Sequence, residues 1–83
     1  MDRAMWSLYR ELLKEANDYR VPVSVLSRFH KKARGKTDFS QIIPPLIREI
    51  EKVVLRNTFG RNQESALASM ARKRDRFSKL QRE

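Results

Sequence analysis

The chain has 83 residues, so it holds one small domain that can bury only a modest part of its surface. It contains no cysteine and a single histidine, which excludes disulfides, a cysteine-ligated iron–sulfur cluster and a zinc site built on thiolates or several histidines. No apolar run is long enough to cross a bilayer, and the charged start of the chain does not resemble a secretory signal. The net charge of +9 predicts a polyanionic partner: nucleic acid, an anionic membrane or an acidic protein.

The first segment, from Asp2 to about Asp18, has the periodicity of an amphipathic helix. Asp2 suits the N-cap or the first turn, where a carboxylate accepts hydrogen bonds from free backbone N–H groups. The apolar residues recur at steps of three and four, which places them on one stripe: Met5, Leu8, Tyr9, Leu12, Leu13 and Ala16. The sequence therefore predicts a first helix here.

A second helix is predicted at about residues 22–34. Pro22 suits its first turn, because the N–H that proline lacks has no partner there. Gly35 follows the last cationic turn and suits the end of the helix. The apolar residues again repeat at helical spacing: Val25, Leu26, Phe29 and Ala33.

A third helix is predicted after a short turn that begins near Asp38. Pro44 and Pro45 cannot both lie deep inside a helix, so we place them in its first turn. Residues 57–60 end this helix. Its predicted buried stripe is formed by Leu46, Ile47, Ile50, Val53 and Val54.

The segment after Gly60 differs in character and has two interpretations. Asn62 suits the N-cap of a fourth helix, with a sparse apolar stripe that the cations at 72–74 interrupt. The segment is either a solvated tail or a helix that forms on a partner. We therefore predict an all-α fold, an antiparallel three-helix bundle over residues 1–60 with a basic extension over residues 61–83.

The positive charge is densest at the end of the second helix. This run has five cations and no acid: Arg28, Lys31, Lys32, Arg34 and Lys36.

The sequence does not predict an enzyme, because the chain has no cysteine nucleophile, no glycine-rich phosphate loop and no paired carboxylates around His30.

The first helix contains Leu8-Tyr9-Arg10 followed by Leu12 and Leu13, and Phe29 precedes the basic run of the second helix. This pattern resembles the LYR-motif family of small mitochondrial adaptor and accessory proteins, over about residues 5–58. The short first connection is similar to that of the LYR-type succinate dehydrogenase assembly factor. The paired prolines and the segment after Gly60 depart from the family pattern, which would start the third helix earlier, near Asp38, with a kink.

The resemblance implies a partner, a cofactor and a compartment. Members bind the mitochondrial acyl carrier protein, whose acyl chain enters the helical bundle on its 4'-phosphopantetheine arm. Leu8, Tyr9, Arg10 and Phe29 would then line the tunnel for the acyl-phosphopantetheine, which the carrier supplies. The family functions in the mitochondrial matrix or at the matrix face of the inner membrane.

The remaining candidate residues would contact proteins or RNA. We predict that the five cations of the basic run bind the acidic carrier. We predict that the apolar residues of the extension dock on a larger mitochondrial complex: Leu67, Met70, Phe77 and Leu80. That complex would be a respiratory complex, the iron–sulfur machinery or the mitoribosome. The main alternative is a small basic RNA-binding protein associated with a ribosome, with possible rRNA contacts by the same cations. A membrane-surface role for the extension is a third option.

Overall fold

A computed structural model describes residues 3–35, 38–57 and 61–82 of the chain. In these ranges the chain is all-helical, as the sequence predicted. It forms α1 (Arg3–Asp18), α2 (Val23–Gly35), a short 3-10 turn (Phe39–Gln41), α3 (Ile43–Asn57) and α4 (Arg61–Arg82). The predicted bounds of the first three helices are confirmed to within about a residue at the ends that the structure describes. Asp2, the predicted cap of α1, lies outside the described residues.

The predicted antiparallel three-helix bundle with a basic extension is not confirmed, because the described residues form four helices. The most extensive contacts link α1, α3 and α4 with one another, whereas α2 contacts the other helices less. The fourth helix therefore packs in the bundle, and the second lies at its periphery. Glu15 pairs with Lys73 and Glu11 with Arg76, so α1 and α4 run antiparallel.

The fourth helix packs closely because its inner face combines small and large apolar residues. Ala66, Met70 and Phe77 are buried there, and Leu67 and Leu80 pack partly buried against the same core. Of the cations that interrupt the stripe, Lys73 and Arg74 form ion pairs with the neighbouring helices, and so does Arg76 one turn further on. These ion pairs therefore link α4 to α1 and α3 in addition to its apolar packing.

A tight reversal joins α1 to α2. Arg20 adopts a left-handed backbone with φ of 63°. The Arg20 N–H donates to the carbonyl of Asn17 at 3.1 Å, and the Val21 N–H donates to that of Ala16 at 2.9 Å. This is a Schellman ending with buried Val21 and Ala16. It places the start of α2 within a few residues of the end of α1.

The third helix begins as its prolines predict. The Asp38 carboxylate accepts hydrogen bonds from the backbone and the hydroxyl of Ser40, which starts the 3-10 turn. Pro44 and Pro45 lie in the first turn of α3, where their missing N–H groups have no helical partners. Phe39 contacts Trp6 edge-to-face with ring centroids 5.1 Å apart, so the starts of α1 and α3 lie at the same end of the molecule.

None of the helices in the described part of the chain combines the length and the apolar character that a bilayer-spanning segment needs.

Candidate functional site

Three of the four residues assigned to the acyl tunnel lie in the core. Leu8 is fully buried, and Tyr9 and Phe29 retain 2% and 6% of their exposure. All three belong to one apolar cluster, which α1, α2, α3 and α4 share. Leu8 and Phe29 therefore have the surroundings of ordinary core residues and would also suit the wall of an apolar tunnel.

Arg10, the fourth of these residues, lies on the opposite side of α1. It is exposed and lines an open surface cleft of about 410 Å³ together with Arg3, Trp6 and Ser7. Because its side chain points away from the core, the structure does not bring Arg10 together with Leu8 and Phe29.

The Tyr9 hydroxyl is the one buried side-chain polar atom among the described residues that has no hydrogen-bond partner. The Tyr9 ring contacts Trp6 edge-to-face with centroids 5.8 Å apart. Burial raises the pKa of the Tyr9 phenol, which therefore stays protonated at neutral pH and can donate a hydrogen bond. A buried donor without an acceptor costs free energy, so a group that approached Tyr9 with an acceptor would be stabilised.

The basic run lies on the exposed surface of α2. Arg28, Lys31, Lys32 and Arg34 are all exposed, and none forms an ion pair with a carboxylate of the described residues. Lys32 lies 5.9 Å from the centroid of the Phe29 ring. Lys36, the fifth predicted cation, falls outside the described residues.

The charges of α1 and α2 that are not paired with α4 are almost all positive. Residues 3–35 carry eight Lys or Arg and three Asp or Glu. Two of those acids face α4: Glu15 binds Lys73 and accepts from the Ser69 hydroxyl at 3.2 Å, and Glu11 pairs with Arg76 at 2.9 Å. Asp18 is therefore the only acid of residues 3–35 that is not paired with α4, and the outer surface of these two helices is strongly cationic.

The third interhelical ion pair joins α3 to α4. The Arg74 guanidinium donates to both carboxylate oxygens of Glu51, at 2.8 and 3.1 Å. This two-point contact raises the pKa of Arg74. Glu11, Glu15 and Glu51 were not singled out from the sequence. The signal that would have found the first two is their i,i+4 spacing on one flank of α1.

An open groove of about 430 Å³ runs between α1 and α2. Leu13 contributes the α1 side. One flank of α2 contributes residues at helical spacing along its length: Val23, Leu26, Ser27, His30, Lys31 and Arg34. Of the predicted carrier-binding cations that the structure describes, Lys31 and Arg34 line this groove, whereas Lys32 lines a smaller cleft with Asp38 and Ile42.

The residues assigned to docking on a larger complex belong to the intramolecular core. Met70 is fully buried and Phe77 is 5% exposed, while Leu67 and Leu80 pack partly buried on the same cluster. As long as α4 remains packed, Met70 and Phe77 have almost no surface to offer a partner.

Comparisons of the chain with protein-family models, with curated proteins and with solved structures find no match.

Proposed function

We propose that this chain is a non-enzymatic helical adaptor that binds an acidic, acylated acyl carrier protein and holds it on a larger mitochondrial complex in the matrix or at the matrix face of the inner membrane. One observation carries the proposal. The outer surface of α2 bears cations that pair with no described carboxylate, and the inner surface of the same helix places Phe29 in the same apolar core as Leu8 and Tyr9. An acidic protein on the outside and an apolar chain on the inside would both contact α2.

The peripheral position of α2 favours admission of an acyl chain. Only Phe29 and Ala33 of this helix are buried, compared with five residues of α1. An outward shift of α2 therefore breaks fewer apolar contacts than a shift of α1 or α3. Each methylene of the acyl chain that becomes buried would contribute about 0.8 kcal/mol of favourable free energy. An acyl chain of roughly a dozen methylenes would therefore offset the free energy needed to open the bundle.

The residues of the chain fit the phosphopantetheine arm that the carrier supplies. The arm offers amide carbonyls as acceptors, and the unpaired Tyr9 hydroxyl is a buried donor. The phosphate at its outer end is anionic, and Lys32 is an exposed cation of α2 that lies outside the α1–α2 groove and can pair with it. Bound in this way, the arm would position the acyl chain while Leu8 and Phe29 contact it.

The test combines copurification with a substitution at Tyr9. Affinity purification of the chain from mitochondria, followed by intact-mass measurement, should recover a carrier with a long acyl group. Tyr9→Phe should weaken binding of the acylated carrier about fivefold, because a hydrogen bond worth about 1 kcal/mol is lost. The same substitution should leave the free protein as stable as the wild type or more so, because it removes a buried hydroxyl without a partner.

Tyr19→Phe is the matched control, since Tyr19 is only partly buried and is not assigned to the site. It should leave carrier affinity unchanged. Recovery of the unacylated carrier alone, or equal losses in both variants, would contradict the proposal.

A second candidate function, RNA binding, is favoured by the cleft on α1. Arg3 and Arg10 flank the partly exposed Trp6, and neither arginine pairs with a described carboxylate. Aromatic rings with adjacent cations bind single-stranded nucleic acid through stacking and phosphate contacts. If this function holds, Arg3→Glu combined with Arg10→Glu should remove about two phosphate contacts. The slope of RNA affinity against salt concentration should become shallower by the corresponding amount. Under the carrier proposal, RNA binding is weak and insensitive to these changes.

A further inference from the structure

The groove between α1 and α2 is polarised along its length. Its first half, toward the start of α2, is formed by Val23, Leu26 and Ser27. Its second half is formed by His30, Lys31 and Arg34. One end of the groove therefore offers apolar surface, and the other offers positive charge.

The helix geometry sets the separation between these two ends. Val23 and Lys31 are eight residues apart on α2. At about 1.5 Å per residue, their Cα atoms are separated by about 12 Å along the axis, a little more than two turns. A ligand that uses both ends must hold an apolar group and an anionic group at this spacing.

Both ends are open to a partner. Val23 is 77% exposed, the most exposed of the large apolar residues that the structure describes. Lys31 and Arg34 form no ion pair with the described carboxylates, and Glu11 and Glu15 of the adjacent helix are already bound to α4. Charge complementarity therefore favours an acidic occupant, and the apolar end favours one with a hydrophobic anchor.

We infer that this groove docks an amphipathic helix of a protein partner, which carries an apolar residue about 12 Å from a pair of carboxylates. The inference rests on the proposed function, from which it takes the acidic carrier as the partner. It adds the surface that the partner contacts and the spacing of apolar and acidic groups by which the partner is recognised. The apolar residue packs on Val23, Leu26 and Leu13, and the carboxylates pair with Lys31 and Arg34. Two-point contact of this kind sets the register and the direction of the partner helix.

Two synthetic helical peptides of identical composition test the spacing. In the first, a leucine lies two turns from a pair of glutamates; in the second, the leucine and the glutamates lie within one turn. Titrated into the isotope-labelled protein, the first should shift the amide signals of α2 and of Leu13 and bind at least tenfold more tightly than the second. Equal affinities would show simple charge attraction and overturn the inference.

Matched variants test the two ends of the groove. Val23→Ser and the pair Lys31→Glu with Arg34→Glu should each weaken the first peptide about tenfold or more. The control pair, Arg48→Glu with Arg72→Glu, makes the same change in net charge at exposed positions outside the groove, and we expect less than about a threefold effect at physiological salt because screening limits long-range attraction. Equal losses in groove and control variants would overturn the inference, as would stronger, Val23-dependent binding to vesicles of anionic phospholipid.

Titration with a dodecanoyl-loaded acyl carrier protein separates this inference from the proposed function. If the first peptide binds in the groove but the loaded carrier does not bind, the inference stands and the proposed function is wrong. If the carrier binds and neither groove variant weakens it, the proposed function stands and the inference is wrong. Val23 is exposed, so loss of folding does not confuse the result for Val23→Ser, and circular dichroism checks the charge variants.

Discussion

At the scale of single residues, the backbone of Arg20 is the clearest point at which a substitution should stabilise the protein. Its left-handed φ of 63° costs a residue with a Cβ about 1–2 kcal/mol, and glycine avoids most of that cost. Arg20→Gly should therefore raise the free energy of unfolding by roughly 0.5–1 kcal/mol after the added flexibility of the unfolded chain is counted. Thermal unfolding should show a Tm higher by roughly 2–8 °C.

Arg20→Ala is the control for the loss of charge, because it removes the guanidinium but keeps the Cβ. It should not reproduce the stabilisation. A glycine variant that is less stable than the alanine variant would contradict this account of the turn.

Glu11 gives the protein a dependence of stability on pH. The hydrogen bond and the positive charge of Arg76 hold the pKa of the Glu11 carboxyl below its ordinary value. A depressed pKa contributes stability above the unfolded-state pKa of about 4.3, and this contribution disappears as the pH falls through the lower folded-state value. Glu11→Gln should therefore be less stable than the wild type at pH 7, and the difference should close in acid.

Because both side chains of this ion pair are more than 40% exposed, the difference at pH 7 should stay below about 1 kcal/mol. Urea unfolding at neutral and acidic pH measures it. Asp18→Asn serves as control, since Asp18 pairs with no cation of the described residues. A Glu11→Gln difference that persists unchanged in acid would rule out the ion pair as its source.

At the scale of helices, α4 should be required for folding. Met70 is fully buried in the apolar core, so Met70→Ala should cost about 2–4 kcal/mol of unfolding free energy. Leu55→Ala, at a position that is 56% exposed, should cost less than about 0.5 kcal/mol. Chemical denaturation of both variants measures these differences.

Deletion of residues 61–83 should abolish cooperative thermal unfolding, because it uncovers the faces of α1 and α3 on which α4 packs. The deletion is therefore not a clean test of whether that segment binds RNA or a larger complex. A truncated chain that still unfolds cooperatively near the wild-type Tm would show that α4 is an accessory to the bundle.

At the scale of the whole molecule, the proposed adaptor should gain stability from its loaded partner. A ligand that binds only the folded protein adds about 2.7 kcal/mol at a concentration of 100 times Kd, which for a domain of this size raises the Tm by roughly 10–20 °C. An unacylated carrier should produce a much smaller rise, because it inserts no apolar chain. Scanning calorimetry with the two carrier forms measures this, and equal rises would count against insertion of the chain into the bundle.

The sequence by itself determined where the first three helices lie and which side of each is buried. The apolar stripes of α1 and α3, Pro22 before α2 and the paired prolines at the start of α3 all act locally, through helix periodicity and proline geometry. The same pattern assigned Leu8 and Phe29 to the interior and the cations of α2 to the surface, and the structure confirms these positions. Periodicity shows that a face is buried, but it does not show which element covers it.

Only the tertiary structure decided which helices share the core. The cations at 72–74 weaken the apolar stripe of α4, so the sequence alone favoured a tail or a partner-dependent helix. Lys73 and Arg74 are instead neutralised by Glu15 and Glu51, which lie far away along the chain and approach only when the helices pack. The groove between α1 and α2 also depends on the tertiary structure. The reversal at Arg20 brings Leu13 of α1 to one flank of α2, and the periodicity of a single helix does not predict such an approach between two helices.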